Sequence, residues 1–283
     1  MPLWLDDLLW TYQNLIHSLG INGLLALSMY VVLAVGQLSL GQAAFMGLGA
    51  YTGALLSLHA GALPFPLVLG ASALVPALLA AAVGVPTLRL TGVHLAIATI
   101  GVGEVLRVVY VNADITGGAL GLGGIPERSG TGLIFGLLGL ALAGFFAIGR
   151  SRIGRAMEAM RSDETAAAVT GVPVRAYHLG ALLASAMLAG LAGALSAHSA
   201  SFIGPNEFAF ENAVTILSFA ILGGTGSPLG PVAGAIVLTA LPELLRPLHD
   251  FRLVFNGLII VVVVLFLPHG LLPWRMRRLR GRP

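Results

Sequence analysis

The sequence predicts an all-α integral membrane protein, a polytopic helical bundle with broken or half-helices and a possible internal repeat. Of its 283 residues, 57% are hydrophobic and only 10% are charged, whereas a soluble domain needs about 25% charged residues to cover its surface. The mean hydropathy is +0.93. This length suits a single transmembrane domain over residues 1–283 rather than a soluble domain carrying an anchor.

Nine apolar segments cover most of the chain, and each is a candidate helix. About twenty residues cross the hydrocarbon of a bilayer, so the segments 42–58, 93–110 and 209–222 are short for a span. We expect those three to be half-helices or helices wrapped by their neighbours. The nine segments are 15–38, 42–58, 64–85, 93–110, 131–149, 176–200, 209–222, 230–246 and 253–272.

The residue types that are missing exclude several kinds of chemistry. The chain has no Cys, which excludes disulfides, thiolate metal sites and cysteine nucleophiles. It has no Lys either, which excludes a phosphate-loop NTPase and a lysine Schiff base. His94 and His198 have no carboxylates at ligand spacing, so we expect polar packing residues and no metal site. The pI of about 9.8 reflects arginines at a membrane surface rather than nucleic-acid binding.

The arginines orient the predicted bundle, because cytoplasmic loops of membrane proteins are enriched in positive charge. If all nine segments cross and the C-terminus is inside, eleven of the fifteen arginines lie on the inner side. The N-terminus is then outside, unless one segment is re-entrant. The basic tail 274–283, WRMRRLRGRP, is expected to bind anionic headgroups of membrane lipids.

The first interruption of the apolar pattern is SLGQAAFMGLGAYTG, residues 39–53. Small residues at four-residue spacing let a neighbouring helix approach closely, and irregular backbone inside a membrane must be covered by protein or line a cavity. Close helix packing and packing beside a translocation path are both open. The path candidates here are Gly41, Gln42, Gly47, Tyr51 and Thr52.

The second interruption is ILGGTGSPLGPVAGAIVLTAL, residues 221–241. Its glycines and prolines do not suit one continuous helix, and Gly223, Gly224 and Gly226 are further path candidates. Both interruptions contain a Leu-Gly step before a new helix of small residues. Interrupted segments in corresponding halves are typical of internally repeated transporters, so we hypothesise that 24–58 and 210–241 superpose.

One pair of opposite charges lies within an apolar segment, Glu104 and Arg107 of GVGEVLRVVY. Residues three apart on a helix can form an ion pair. Ionisable residues inside a membrane are functional candidates, but both lie in the last third of the segment, where snorkelling would suffice. A structural pair is therefore the simpler interpretation.

The longest polar segment, about 150–175, predicts an amphipathic cytoplasmic helix over 152–171 that ends at Gly171. Ile153, Met157 and Met160 fall on one face. Such a helix could lie on the membrane, but its acidic residues favour a socket on a soluble partner over anionic lipid.

This segment also resembles the cytoplasmic coupling loop of ABC importer permeases, whose motif has two alanines, three variable residues and a glycine. Ala166, Ala167 and Gly171 match that spacing, while Thr165 replaces the motif's Glu, with Glu164 one residue early. That departure is familiar in branched-chain amino-acid permeases. The chain resembles the LivM-type subunit of that family, rather than its LivH-type companion, over about 20–270, in SLGQAAFMGLGAYTGALL, LRLTGVHLAIATIGVGEVLR, TGGALGLGGIP, LAGLAGAL and the 221–231 interruption.

The resemblance implies a transport subunit without catalytic residues or a cofactor of its own, in the inner membrane of a bacterium. Its expected partners are a second, LivH-type permease, two ATPase subunits that bind ATP and Mg²⁺, and a periplasmic or lipid-anchored substrate-binding protein. The C-terminus is expected in the cytoplasm. The residues expected to couple the ATPases to the bundle are Arg155, Met157, Glu158, Met160, Arg161, Asp163, Glu164, Ala166, Ala167 and Gly171.

Other functions stay open. Relatives with similar permeases carry urea, short amides or other amino acids, and only the resemblance favours Leu, Ile or Val. An ion-coupled secondary transporter would need a buried carboxylate, and Glu104 is the one candidate. An intramembrane enzyme is disfavoured because H-E-x-x-H and G-x-S-x-G motifs are both missing.

Overall fold

The computed structural model describes residues 12–61, 63–87, 90, 92–244 and 271, and helices account for most of them. Eight of the nine predicted segments are helices whose ends agree within a few residues. The ninth, 253–272, lies outside the described residues except for Leu271, and the tail 274–283 lies outside them entirely. The helices are α1 (Gln13–Ala34), α2 (Gln42–His59), α3 (Phe65–Thr87), α4 (Val93–Asn112), α5 (Thr131–Arg150), α6 (Arg152–Ser162), α7 (Glu164–Val169), α8 (Val174–Ala200), α9 (Phe210–Gly223) and α10 (Leu229–Leu244).

Five of these helices, α1, α3, α4, α5 and α8, are long and apolar enough to cross a membrane. The shorter α9 and α10 have 14 and 16 residues, or about 21 and 24 Å at 1.5 Å per residue. α2 has 18 residues and is largely buried between its neighbours. Of the two alternatives predicted for 42–58, a helix wrapped by its neighbours is therefore the one observed. The same expectation is wrong for 93–110, because α4 has the length of a membrane span and is mostly not buried.

The bundle has two ends that its contacts distinguish. We call α6 and α7 together (152–169) the foot, and the end of the bundle where they lie the foot end. The foot lies beside the end of α1 and the start of α8. There, His178 Nε2 lies 3.3 Å from the Val35 carbonyl oxygen. At the other, the sheet end, His17 near the start of α1 contacts Thr131 at the start of α5 and Ser199 at the end of α8.

The only strands in the described part of the chain are β1 (Leu122–Gly123) and β2 (Phe202–Ile203), which pair antiparallel at the sheet end. They join the Gly-rich loop after α4 to the segment after α8. Gly121 has φ +80, and a side chain there would collide with the Ile203 carbonyl. A residue without a Cβ is required because the conformation is left-handed and the strands are close.

The core is built around α8, which packs against α1, α2 and α3. Its inward face consists of small, fully buried residues such as Ala186, Ala189 and Ala194. Apolar side chains gain little from leaving lipid for protein, so helices in membranes associate through close van der Waals packing of small residues. This explains why the most central helix carries so few large side chains on its inward face.

Candidate functional site

The foot begins with a side-chain cap and is followed by a glycine, and the local sequence supplies both. The Ser151 hydroxyl accepts hydrogen bonds from the amides of Ile153 (3.1 Å) and Gly154 (3.5 Å) at the start of α6. Gly171, with φ +89, follows α7. These contacts use the preference of Ser for N-caps and of Gly for positions after a helix.

The single helix predicted over 152–171 is wrong, because the chain breaks at Asp163. This residue is extended (φ −160, ψ 109), and its Oδ1 accepts a hydrogen bond from the Ala166 amide at 2.9 Å. Asp163 thus caps a second short helix, α7, rather than continuing α6. The N-cap preference of Asp was the signal available in the sequence.

The apolar ridge of the foot packs mainly against the protein's own bundle. Met160 and Ala167 are each 3% exposed and lie in a cluster with Val31 and Val32 of α1 and with Val35 directly after it. The expectation that this face occupies a partner's socket is therefore wrong for Met160 and Ala167, although Ile153 stays half exposed and Met157 is partly buried. The ridge fixes the foot to α1 instead.

The face of the foot turned away from the bundle is exposed and mostly polar. Val169, at the end of α7, is 85% exposed, and sequence analysis missed it because it lies off the apolar ridge. A large apolar side chain exposed among polar ones is a candidate anchor for a partner protein. The predicted coupling residues on this face are Arg155, Glu158, Asp163, Glu164, Ala166 and Gly171, all exposed. Arg161 is also exposed, but it contacts the bundle.

Arg161 joins the foot to the second interruption. Its Nη1 donates to the Thr225 carbonyl oxygen at 2.7 Å, and its Nη2 donates to Thr225 Oγ1 at 2.6 Å. A planar guanidinium suits such a two-pronged contact. The sequence carried no signal for it, since the two residues are 64 positions apart.

The second interruption is a tight helical hairpin between α9 and α10. Gly224 has φ +85, and a side chain on Gly223 would collide with the backbone of Gly230. Gly226 is exposed in the turn, and the Ser227 hydroxyl accepts from the Leu229 amide at 3.2 Å where α10 begins. The glycines serve a sharp reversal and a close helix crossing at the foot end.

Only the start of the first interruption is irregular, since α2 begins directly after Gly41. Gln42 is 1% exposed, and its Nε2 donates to Ser185 Oγ at 3.2 Å, well inside α8. The Leu40 amide donates to Thr99 Oγ1 of α4 at 2.9 Å. Irregular backbone at this depth is thus covered by protein and hydrogen-bonded to side chains, as a membrane interior requires.

Within α2, the glycines have different neighbours. A side chain on Gly49 would collide with the Gly190 backbone of α8, so this pair marks a close helix crossing. Gly47 instead faces a side chain, with its Cβ position 2.7 Å from Cγ of Phe208. The packing at Gly47 is thus close, but its neighbour is a side chain and not the backbone of another membrane helix. Thr52 Oγ1 donates to the Leu48 carbonyl within the same helix at 2.6 Å.

Polar groups on α2 and α4 form a strip that extends toward the sheet end. Arg107 Nε donates to Glu104 Oε2 at 2.8 Å, and both side chains keep about a third of their surface exposed (32% and 40%). One turn further, the rings of Tyr110 and Tyr51 lie 4.4 Å apart. Both hydroxyls are buried without a hydrogen-bond partner among the described residues, which is costly in a low-dielectric interior.

The segment between α8 and α9 closes the strip at the sheet end. Its Phe208 is 3% exposed and its ring packs edge-on against Tyr51 at 5.8 Å. The Glu207 carboxylate accepts from the Gly204 amide at 3.4 Å. Desolvation by neighbouring residues raises the pKa of Glu207, and this hydrogen bond lowers it in part, although the side chain keeps an exposed side.

The histidines act as polar packing residues. His198 Nε2 lies 2.7 Å from Ser57 Oγ and Nδ1 lies 2.8 Å from the Ala194 carbonyl oxygen, as predicted. His94 is exposed on α4 instead. His17, which sequence analysis missed, contacts two hydroxyls, Ser199 Oγ at 2.7 Å and Thr131 Oγ1 at 2.9 Å. Within the described ranges no group of three or more His, Asp or Glu side chains could hold a metal ion.

Comparison with known proteins gives a consistent result. A family model described as the permease component of branched-chain amino acid transport systems matches residues 11–267. The chain is 34% identical to the high-affinity branched-chain amino acid transport system permease protein LivM of Escherichia coli (strain K12) and 33% identical to that of Salmonella typhimurium. Each alignment covers 95% of this chain and 70% of the relative. No solved structure matches the chain.

Proposed function

This chain belongs to the family of permease components of branched-chain amino acid transport systems, and we propose that it is one transmembrane subunit of an ATP-driven importer of leucine, isoleucine or valine. The observation that carries the proposal is the foot. It is a short polar helix pair with an exposed outer face, attached at one end of an apolar bundle that has no lysine for a phosphate loop. Such a chain needs a motor on another subunit.

We infer that the foot end faces the cytoplasm of a bacterial cell. Four exposed arginines, Arg150, Arg152, Arg155 and Arg175, surround the foot, and positive charge favours the cytoplasmic side. The start of α1 and the small sheet then face outward, where a substrate-binding protein would deliver the amino acid. A second related permease subunit would complete the pathway, and two ATPase subunits holding ATP and Mg²⁺ would bind beneath the foot.

The foot has contacts that can pass a displacement to the bundle. Met160 and Ala167 pack on the end of α1, and Arg161 is hydrogen-bonded to the turn between α9 and α10. A movement of the foot would therefore act on α1 and on the α9–α10 hairpin together. We propose that closure of the ATPases moves the foot as a rigid lever and that these helices rock around the pathway.

We propose that the amino acid passes along the polar strip of α2 and α4. The strip contains the Glu104–Arg107 pair, whose charges match the ammonium and carboxylate groups of a zwitterionic amino acid. The unpaired Tyr51 and Tyr110 hydroxyls lie next to it. Tight recognition would remain with the substrate-binding protein, because this strip is short.

The docking face is tested by Val169→Asp in the complete transporter. Because Val169 is 85% exposed, the permease should fold normally, while an unpaired charge buried in the interface should weaken ATPase binding by about tenfold or more. Affinity purification of the tagged permease measures the ATPase that remains bound. Leu120→Asp is the matched control, since Leu120 is 88% exposed at the sheet end. Undiminished ATPase binding by Val169→Asp would contradict the proposed docking face.

The strip is tested by Glu104→Gln beside the charge exchange Glu104→Arg with Arg107→Glu. If the pair faces the substrate, both variants should lower uptake by about tenfold or more, because the electrostatic field of the pair along the path is lost or reversed. Assembly of the transporter should be unchanged. Uptake of labelled leucine into vesicles holding the full transporter measures this. If the exchange variant, which keeps an ion pair, transports like the original protein, the pair only supports α4 and the strip is not the path.

A further inference from the structure

An apolar groove opens on the flank of the bundle at the foot end, away from the polar strip. Its volume is about 560 Å³, and its walls come from α1, α5, α6 and α8. Phe145 and Ile148 of α5 form one side, Tyr177 and Leu188 of α8 form the other, and Met157 of the foot closes one end. The groove is therefore partly built from the element proposed to receive the ATPases.

The groove has the dimensions of a lipid tail in one leaflet. Its wall on α8 extends from Ala176 to Leu191, which is about 22 Å along a helix at 1.5 Å per residue. One leaflet contributes about 15 Å of hydrocarbon, half of the core thickness, so a slightly tilted acyl chain fits the wall. Gly144 and Gly180 line the groove without filling it, since a Cβ at either position would meet nothing within 4 Å.

Positive charge surrounds the end of the groove at the foot. Arg150, Arg152, Arg155 and Arg175 lie within two positions in the chain of the lining residues Ile148, Ile153 and Ala176, and all four are exposed. None of them forms an ion pair with an acidic residue in the part of the chain that the structure describes. The acids of the foot, Glu158, Asp163 and Glu164, lie between Arg155 and Arg175 in the chain.

We propose that the groove binds an anionic phospholipid, with an acyl chain between α5 and α8 and the phosphate on the four arginines. Apolar walls alone would accept any tail, but unpaired arginines at the headgroup level select a negative charge. The sequence predicted that the foot binds a protein partner rather than lipid. That prediction therefore applies to the acidic part of the foot and not to its basic start. The lipid lies between the foot and the bundle, so it would stiffen the lever.

The assignment to the cytoplasmic leaflet depends on the proposed function, whereas the groove and its arginines do not. The test therefore uses the full chain alone, without ATPases or substrate. The purified protein is exchanged from vesicles of phosphatidylglycerol and phosphatidylcholine into detergent, washed, and the retained lipids are counted by mass spectrometry. We expect phosphatidylglycerol to be retained and phosphatidylcholine to be washed away.

Two sets of variants separate the tail from the headgroup. The double variant Gly144→Leu with Gly180→Leu should fill the groove and displace the lipid. The control is Gly139→Leu on the exposed face of α5, where a Cβ also meets nothing within 4 Å. This control variant should retain the lipid. Replacing the four arginines by Gln should lower retention by about fivefold for each charge near the headgroup. Equal retention of both lipids, or undiminished retention by the filled groove, would overturn the proposal. The proposal would also be overturned if Met157, in the complete transporter, crosslinked to the second permease subunit and not to lipid.

Discussion

Gly49→Leu is expected to abolish the folded permease. Gly49 of α2 touches the backbone of Gly190 on α8, so a side chain there has no flexible neighbour to displace. Gly190 in turn touches the Ser72 carbonyl of α3, which lacks its helical partner because Pro76 has no amide hydrogen. Three helices would have to separate at once, and we expect a destabilisation of about 3 kcal/mol or more.

The measurement is the amount of monodisperse permease extracted from the membrane, compared with the original sequence. Gly139→Leu on α5 is the matched control, because the same side chain there enters open space and should leave the yield unchanged. Gly47→Leu should be milder than Gly49→Leu, since its neighbour is the side chain of Phe208 and not a backbone. Normal yield of Gly49→Leu would show that α2 and α8 do not cross this closely.

Arg161→Gln is expected to uncouple ATP hydrolysis from transport. The two hydrogen bonds to Thr225 are the direct polar link between the foot and the α9–α10 turn, and a hydrogen bond to a charged group contributes about 1.5–3 kcal/mol. Without the link, the ATPases should still bind the exposed face, but their movement would not reach the hairpin. We expect the leucine imported per ATP hydrolysed to fall about tenfold.

The ratio of transport to hydrolysis is measured in vesicles that contain the complete transporter. Glu158→Gln is the control, an exposed charge on the same helix without a contact to Thr225. Thr225→Val should have a smaller effect, since it removes the hydroxyl and leaves the carbonyl acceptor. An unchanged ratio in Arg161→Gln would show that the foot acts through α1 alone.

The candidate site was predicted in part. The foot, the two interruptions and the Glu104–Arg107 pair were visible because each is a local pattern of composition or spacing. The break at Asp163, the internal packing of Met160 and the Arg161–Thr225 link were not. The internal repeat of 24–58 and 210–241 stays a prediction. Val169 was missed because exposure depends on which face of the foot meets the bundle.

By itself, the sequence determined that this is a helical membrane protein, where its apolar helices begin and end to within a few residues, and which family it resembles, because hydropathy and turn residues act within a single segment. Only the tertiary structure decided which side of each helix meets a neighbour. Helices that are apolar all round carry no stripe to mark the buried face. Their packing instead depends on whether small residues meet a backbone, as at Gly49, or a side chain, as at Gly47, and that depends on residues far away in the chain.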